Sequence, residues 1–128
     1  MNIKWTPKRI ASLDIVKRIH NLPFEVGILF GLYDNGYTIF FCKPGNLYST
    51  KFPSWKLLKL FLERKKMQLA YVHNHPNILG DGCLPSGADV IVMKQKRFLC
   101  KLLGIKFFDA LSVGQTGEYY SFKENKLF

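Results

Sequence analysis

Two periods organise the apolar positions of this chain. Over residues 12–19 the spacing is helical. Ser12 precedes Leu13, Ile15, Val16 and Ile19, with Asp14 in the first turn, which predicts a short N-capped helix that Asn21-Leu22-Pro23 stops. From Glu25 the pattern changes to runs of β-branched and aromatic residues. Residues 25–33 and 37–43, parted by Asp34-Asn35-Gly36, predict a β-hairpin. Pro44-Gly45-Asn46 predicts a turn, and residues 47–52 a short extended piece. Pro53 then opens a helix to about Met67, with Trp55, Leu58 and Leu62 at helical spacing.

Leu69-Ala70-Tyr71-Val72-His73 is almost wholly apolar, the pattern of a strand buried on both faces of a sheet. Residues 74–85 hold two Pro and two Gly and predict a long loop. Ser86 caps a helix to about Leu103, which Gly104 ends. Residues 106–113 and 118–122 form a last hairpin around Gly114-Gln115-Thr116-Gly117. The order helix, hairpin, helix, strand, helix, hairpin predicts an α/β (α+β) domain, a central mixed β-sheet flanked by helices.

A chain of 128 residues suits a single domain over 1–128, and no repeat or linker divides it. Its 48% hydrophobic content supplies a core and excludes intrinsic disorder. The longest apolar runs, Val26–Tyr33 and residues 37–42, fall far short of the roughly 20 residues that a membrane span needs. No apolar stretch follows the first seven residues, so no secretory leader is expected. Cys42, Cys83 and Cys100 are an odd number without C-x-x-C spacing, which argues against a disulfide framework and for a reducing, cytoplasmic setting. Nineteen Lys and Arg against nine Asp and Glu leave a net charge of +10, a field that attracts polyanions. On the expected helices Lys56, Lys59 and Lys66 share one face, as do Lys94, Arg97 and Lys101. No nucleic-acid-binding module accompanies them. They read as solvated faces with weak, nonspecific nucleic-acid binding.

The chemistry concentrates at the end of the buried strand. In His73-Asn74-His75 the strand period sends both imidazoles to one face and Asn74 to the other, the arrangement in which two ring nitrogens share a metal. Two ordinarily hydrogen-bonded histidines would carry the same spacing. Beyond the loop, Ser86-Gly87-Ala88-Asp89 puts Asp89 one turn into a helix, from where it can look back at the strand end. Two histidines and one carboxylate leave a fourth tetrahedral position open, as catalytic zinc sites require. Ser-x-x-Asp also fits a capping box, and the two readings are compatible at Ser86. Among the acids, Glu25 alone opens an apolar strand able to pair beside the histidines, although an acid heading a strand is commonly just exposed.

Together, His73-Asn74-His75-Pro76, Ser86-Gly87-Ala88-Asp89 and Glu25 in a Glu-x-x-x-Leu-x-Gly context resemble the JAMM motif of the JAB/MPN metalloproteases. The closest likeness is to the RadC-like JAB domain. It extends over residues 9–128, through Gly45-Asn46-Leu47, Leu102-Leu103-Gly104-Ile105, Asp109 and Tyr119-Tyr120-Ser121-Phe122. The resemblance implies a cytidine deaminase-like fold. It implies that His73, His75 and Asp89 bind Zn2+, that Glu25 is the general base for a zinc-bound water, and that Ser86 steadies the oxyanion. The implied activity is a zinc metalloprotease or isopeptidase acting on a protein or peptide substrate. A DNA-associated RadC-like module with a vestigial or non-proteolytic metal site is the alternative.

The chain departs from the family in four places. Ten residues, 76–85, separate His75 from Ser86 where the family places seven, and Asn77-Ile78-Leu79 replaces the family's Ser-Gly. Cys83 falls in that expansion, either as a competing soft ligand or as a plain loop thiol. The helix-hairpin-helix region of full-length RadC is not found, which weakens any DNA-binding implication. No ubiquitin-gripping insertion is seen. Zinc deaminase chemistry is disfavoured, because it wants His-x-Glu and a downstream Pro-Cys-x-x-Cys.

Overall fold

The computed structural model describes residues 2–44, 59–60, 63, 66–76 and 83–128. Its elements in chain order are α1 (Pro7–Ala11), α2 (Asp14–Ile19), β1 (Val26–Tyr33), β2 (Gly36–Pro44), β3 (Gln68–Asn74), α3 (Gly87–Leu102), β4 (Phe107–Val113) and β5 (Tyr119–Ser121). Five strands form one sheet in the order β2-β1-β3-β4-β5. Only β3 and β4 run parallel; every other pair is antiparallel. Parallel neighbours need a long crossover, which α3 supplies. The mixed sheet flanked by helices is the architecture that the element order predicted.

Period-two alternation divides the sheet between two cores. Ile28, Phe30, Ala70, Val72, Leu111 and Val113 pack with Ile10, Val16 and Ile19 of the first two helices. Leu29, Leu69, Tyr71 and Ala110 face the other way and pack with Met93 and Cys100 of α3. Six of the seven residues of β3 are buried, as its unbroken apolar run predicts.

The N-terminus differs from the expectation. α1 begins at the Thr6-Pro7 pair, with the Thr6 side chain accepting from Arg9 N and proline in the first turn, where its missing N–H costs nothing. Ser12 therefore does not cap α2. It closes α1, its hydroxyl donating to the Lys8 carbonyl at 2.8 Å, and Leu13 takes the N-cap of α2 without a side-chain cap. The helix expected from Pro53 to Met67 is helical at Lys59, Leu60 and Glu63. Its remaining body, Lys56, and the extended piece at 47–52 lie outside the described residues, whereas Met67 stands beyond the helix and just before β3. Residues 77–82 of the loop also lie outside them. The basic face of α3 is partly engaged, since the Arg97 guanidinium lies 5.1 Å from the centroid of the Phe128 ring.

A close approach at Gly27 shapes the region near the histidines. Gly27 pairs with His73, and a Cβ built on it would collide with the Tyr71 hydroxyl. Gly87, by contrast, faces open space in the first turn of α3. Gly27→Ala is therefore expected to destabilise the fold by about 1–3 kcal/mol through overpacking. Gly87→Ala should be neutral or stabilise by up to about 1 kcal/mol by restricting the unfolded chain. Urea unfolding midpoints of the two variants check the contrast.

Candidate metal centre

β3 ends on His73 and Asn74, and His75 follows with its amide donating to the Val113 carbonyl of β4 at 2.8 Å. That bond prolongs the parallel pairing by one residue, so both imidazoles leave the same face of the sheet. Their Nε2 atoms lie 3.1 Å apart, with ring centroids 5.0 Å apart. Asp89 Oδ2 lies 3.2 Å from His75 Nε2 and 3.7 Å from His73 Nε2. One donor atom from each of His73, His75 and Asp89 falls within 4.8 Å of the others, a set that could hold a metal ion.

Asp89 serves the helix and the cluster together. The Ser86 side chain accepts from the Asp89 amide at 3.0 Å, and Asp89 Oδ2 accepts from the Ser86 amide at 3.1 Å, completing a capping box. The same Oδ2 faces the histidines, so the capping and ligand readings both describe it. Burial disfavours the charge of this carboxylate. The two imidazoles facing it and the Ser86 amide outweigh that cost and hold the carboxyl well below the usual range. An ionised oxygen thus faces two imidazole nitrogens. Ser86 itself is exposed, and a hydroxyl that accepts in the cap retains its own proton for donation.

Glu25 stands just before β1 and is half-buried. Gly27 pairs with His73 at the end of the antiparallel β1–β3 ladder, and Glu25 stands two residues before it in the chain. Asn74 secures this end of the strand. Its side chain is fully buried, with Oδ1 accepting from Val26 N at 2.6 Å and Nδ2 donating to the Phe24 carbonyl at 3.0 Å. One amide side chain therefore grips the backbone on both sides of Glu25. The alternation rule placed Asn74 on the opposite face but assigned it no task; a polar residue in an otherwise apolar strand was the available signal.

Cys83 is half-buried and outside the cluster of His73, His75 and Asp89. Burial and the charge of Glu118 push its thiol up.

The family model described as RadC-like JAB domain matches residues 38–127, more than two-thirds of the chain. The chain belongs to the RadC-like JAB domain family. It is 35% identical over 71 residues to a UPF0758 protein of Actinobacillus pleuropneumoniae serotype 5b (strain L20), covering 56% of this chain and 30% of the relative. It is 38% identical over 66 residues to a UPF0758 protein of Alkaliphilus metalliredigens (strain QYMF), covering 52% of this chain and 27% of that one. The matched stretches thus span under a third of these relatives. The match to the RadC-like JAB domain contains His73, His75, Ser86 and Asp89 but begins downstream of Glu25.

Asn74→Ala would strand the buried Val26 N–H and leave the Phe24 carbonyl without this donor. The expected cost is about 1–3 kcal/mol in unfolding free energy. Hydrogen exchange at the Val26 amide, read by NMR, should accelerate while amides in the middle of β3 stay protected.

Proposed function

We propose that this RadC-like JAB domain is a zinc-dependent hydrolase of peptide or isopeptide amide bonds. The observation that carries the reading is the convergence of His73, His75 and the ionised Asp89 on one point beside an exposed hydroxyl. Two imidazole nitrogens and one carboxylate oxygen are the donor types of catalytic zinc sites, and three of them leave a position open. The JAMM resemblance points to the same metal. When bound, zinc supplies Lewis acidity to water and to the substrate carbonyl.

The chain's own residues supply the remaining chemistry. Glu25 accepts the proton of the attacking water and passes it to the leaving amine. Ser86 donates its free hydroxyl proton to the oxygen that becomes negative in the transition state. The Asn74 clamp holds the backbone on both sides of Glu25, so the base need not be ordered during turnover. A protein or peptide is the proposed substrate. Three free cysteines suit the reducing environment of the cytoplasm. Among the described residues no helix is long and apolar enough to cross a membrane.

Elemental analysis should find one zinc per chain in the parent protein and a loss of it in His75→Ala; equal occupancy in the two would refute the ligand assignment. Glu25→Gln should retain zinc yet turn over a fusion or isopeptide-linked substrate about 10²–10⁴-fold more slowly. Asp89→Asn should lose zinc, because a neutral amide is a poorer ligand than a carboxylate. A Glu25→Gln protein with full activity would exclude the proposed base.

The net charge of +10 is assigned a lesser role. Binding to duplex DNA should be weak, indifferent to sequence, and steeply reduced by added salt as counterion release requires. Tight, sequence-selective binding at physiological salt would favour the DNA-associated reading.

A further inference from the structure

His73 has a second ring nitrogen, and the cluster leaves it unused. His73 is 2% exposed, and among the described residues its Nδ1 has no hydrogen-bond partner. Ser112 on β4 is fully buried and its hydroxyl has no partner either. The two residues are directly paired in the parallel β3–β4 ladder. Paired residues of neighbouring strands send their side chains to the same face, with the strands about 4.8 Å apart. Nδ1 lies two bonds from its Cβ and Oγ one bond from its own, so both atoms sit close to the sheet at similar height. Two buried polar atoms left unsatisfied on directly paired residues call for an explanation, since each alone costs about 1–3 kcal/mol.

We propose that Ser112 is a positioning residue for the metal centre: its hydroxyl accepts from His73 Nδ1–H, directly after a χ1 rotation or through one water. This rests on the zinc reading above. The chemical logic is tautomeric. A neutral imidazole carries one proton, and whichever nitrogen donates it leaves the other as the lone-pair donor. An acceptor at Nδ1 keeps the proton there and frees Nε2, the atom that faces His75 and Asp89. The contact also fixes the ring plane, as outer partners of metal-binding histidines do. Ser112 lies beyond the reach of the motif, on a different strand 39 positions from His73 and 23 from Asp89.

The test compares the parent, Ser112→Ala and Ser112→Thr. The threonine keeps the hydroxyl, and urea unfolding of each protein verifies that it is folded. In metal-free protein, long-range ¹H–¹⁵N spectra of the imidazoles report the tautomer of His73. The Nδ1–H form should fall in Ser112→Ala relative to the parent and recover in Ser112→Thr. Zinc affinity, measured by chelator competition, should weaken about 10–100-fold in Ser112→Ala and return to within a few-fold of the parent in Ser112→Thr. An unchanged tautomer population in Ser112→Ala, or zinc affinity within twofold of the parent, overturns the proposal. The spectra need no metal, so a parent that binds no zinc would refute the zinc reading and leave the tautomer measurement to decide Ser112.

Discussion

The pairing of β3 between β1 and β4 is the constraint on which the rest of the structure depends. A strand held on both edges has no rotational freedom, so its period of two becomes an assignment of every side chain to one of two faces. Tyr71, His73 and His75 fall on the face covered by α3. Val72 and Asn74 fall on the face covered by α1 and α2. A slip of one residue in either pairing would bury the histidines among Ile28 and Val26 and turn Asn74 toward α3. The apolar residues on both faces resist that slip. The hydrophobic effect thus fixes the register, and the register aims the imidazoles.

Electrostatics settles differently at the two buried acids. Asp89 faces the helix N-terminus and two imidazoles, and they outweigh burial so that it stays ionised. Asp109 is fully buried and accepts from Ala110 N at 2.8 Å, from Lys123 N at 2.9 Å and from the Ser121 hydroxyl. Burial still prevails there, and its carboxyl is pushed up. The contrast follows their tasks. Asp109 ties β5 and the chain after it to β4, work that a carboxyl can do with less charge. Asp89 offers an anionic oxygen to an open cluster, and a positive ion would be its natural complement.

Small residues shape the space beside the cluster as much as functional ones do. Gly27 lets the Tyr71 ring lie across β1, where any side chain would displace it, and that ring stands 5.9 Å from His73, centroid to centroid. The ring helps to confine the imidazole to one orientation. The geometry of the His73, His75 and Asp89 cluster is therefore maintained by packing from one side, by the Ser86 cap through Asp89 from another, and by the Val113 carbonyl through the His75 backbone. His73 on β3, His75 directly after it and Asp89 on α3 are thus carried on or beside rigid elements.

Much of this was legible in the order of residues, because the signals are local. Alternation in 68–74, the Ser86–Asp89 cap and the hairpin turns depend on neighbours a few positions apart, and backbone geometry converts them directly into structure. The shared face of His73 and His75 belongs to this class. The start of α1 is equally local, carried by Thr6-Pro7, and it makes Ser12 the closing residue of α1 instead of the cap of α2. Asn74's grip on the backbone around Glu25, 48 to 50 positions away, and Ser112's place beside His73 were not legible. Both depend on which strands become neighbours and in what register. That choice is made by the burial of whole apolar faces, a collective property that no short stretch of the chain contains.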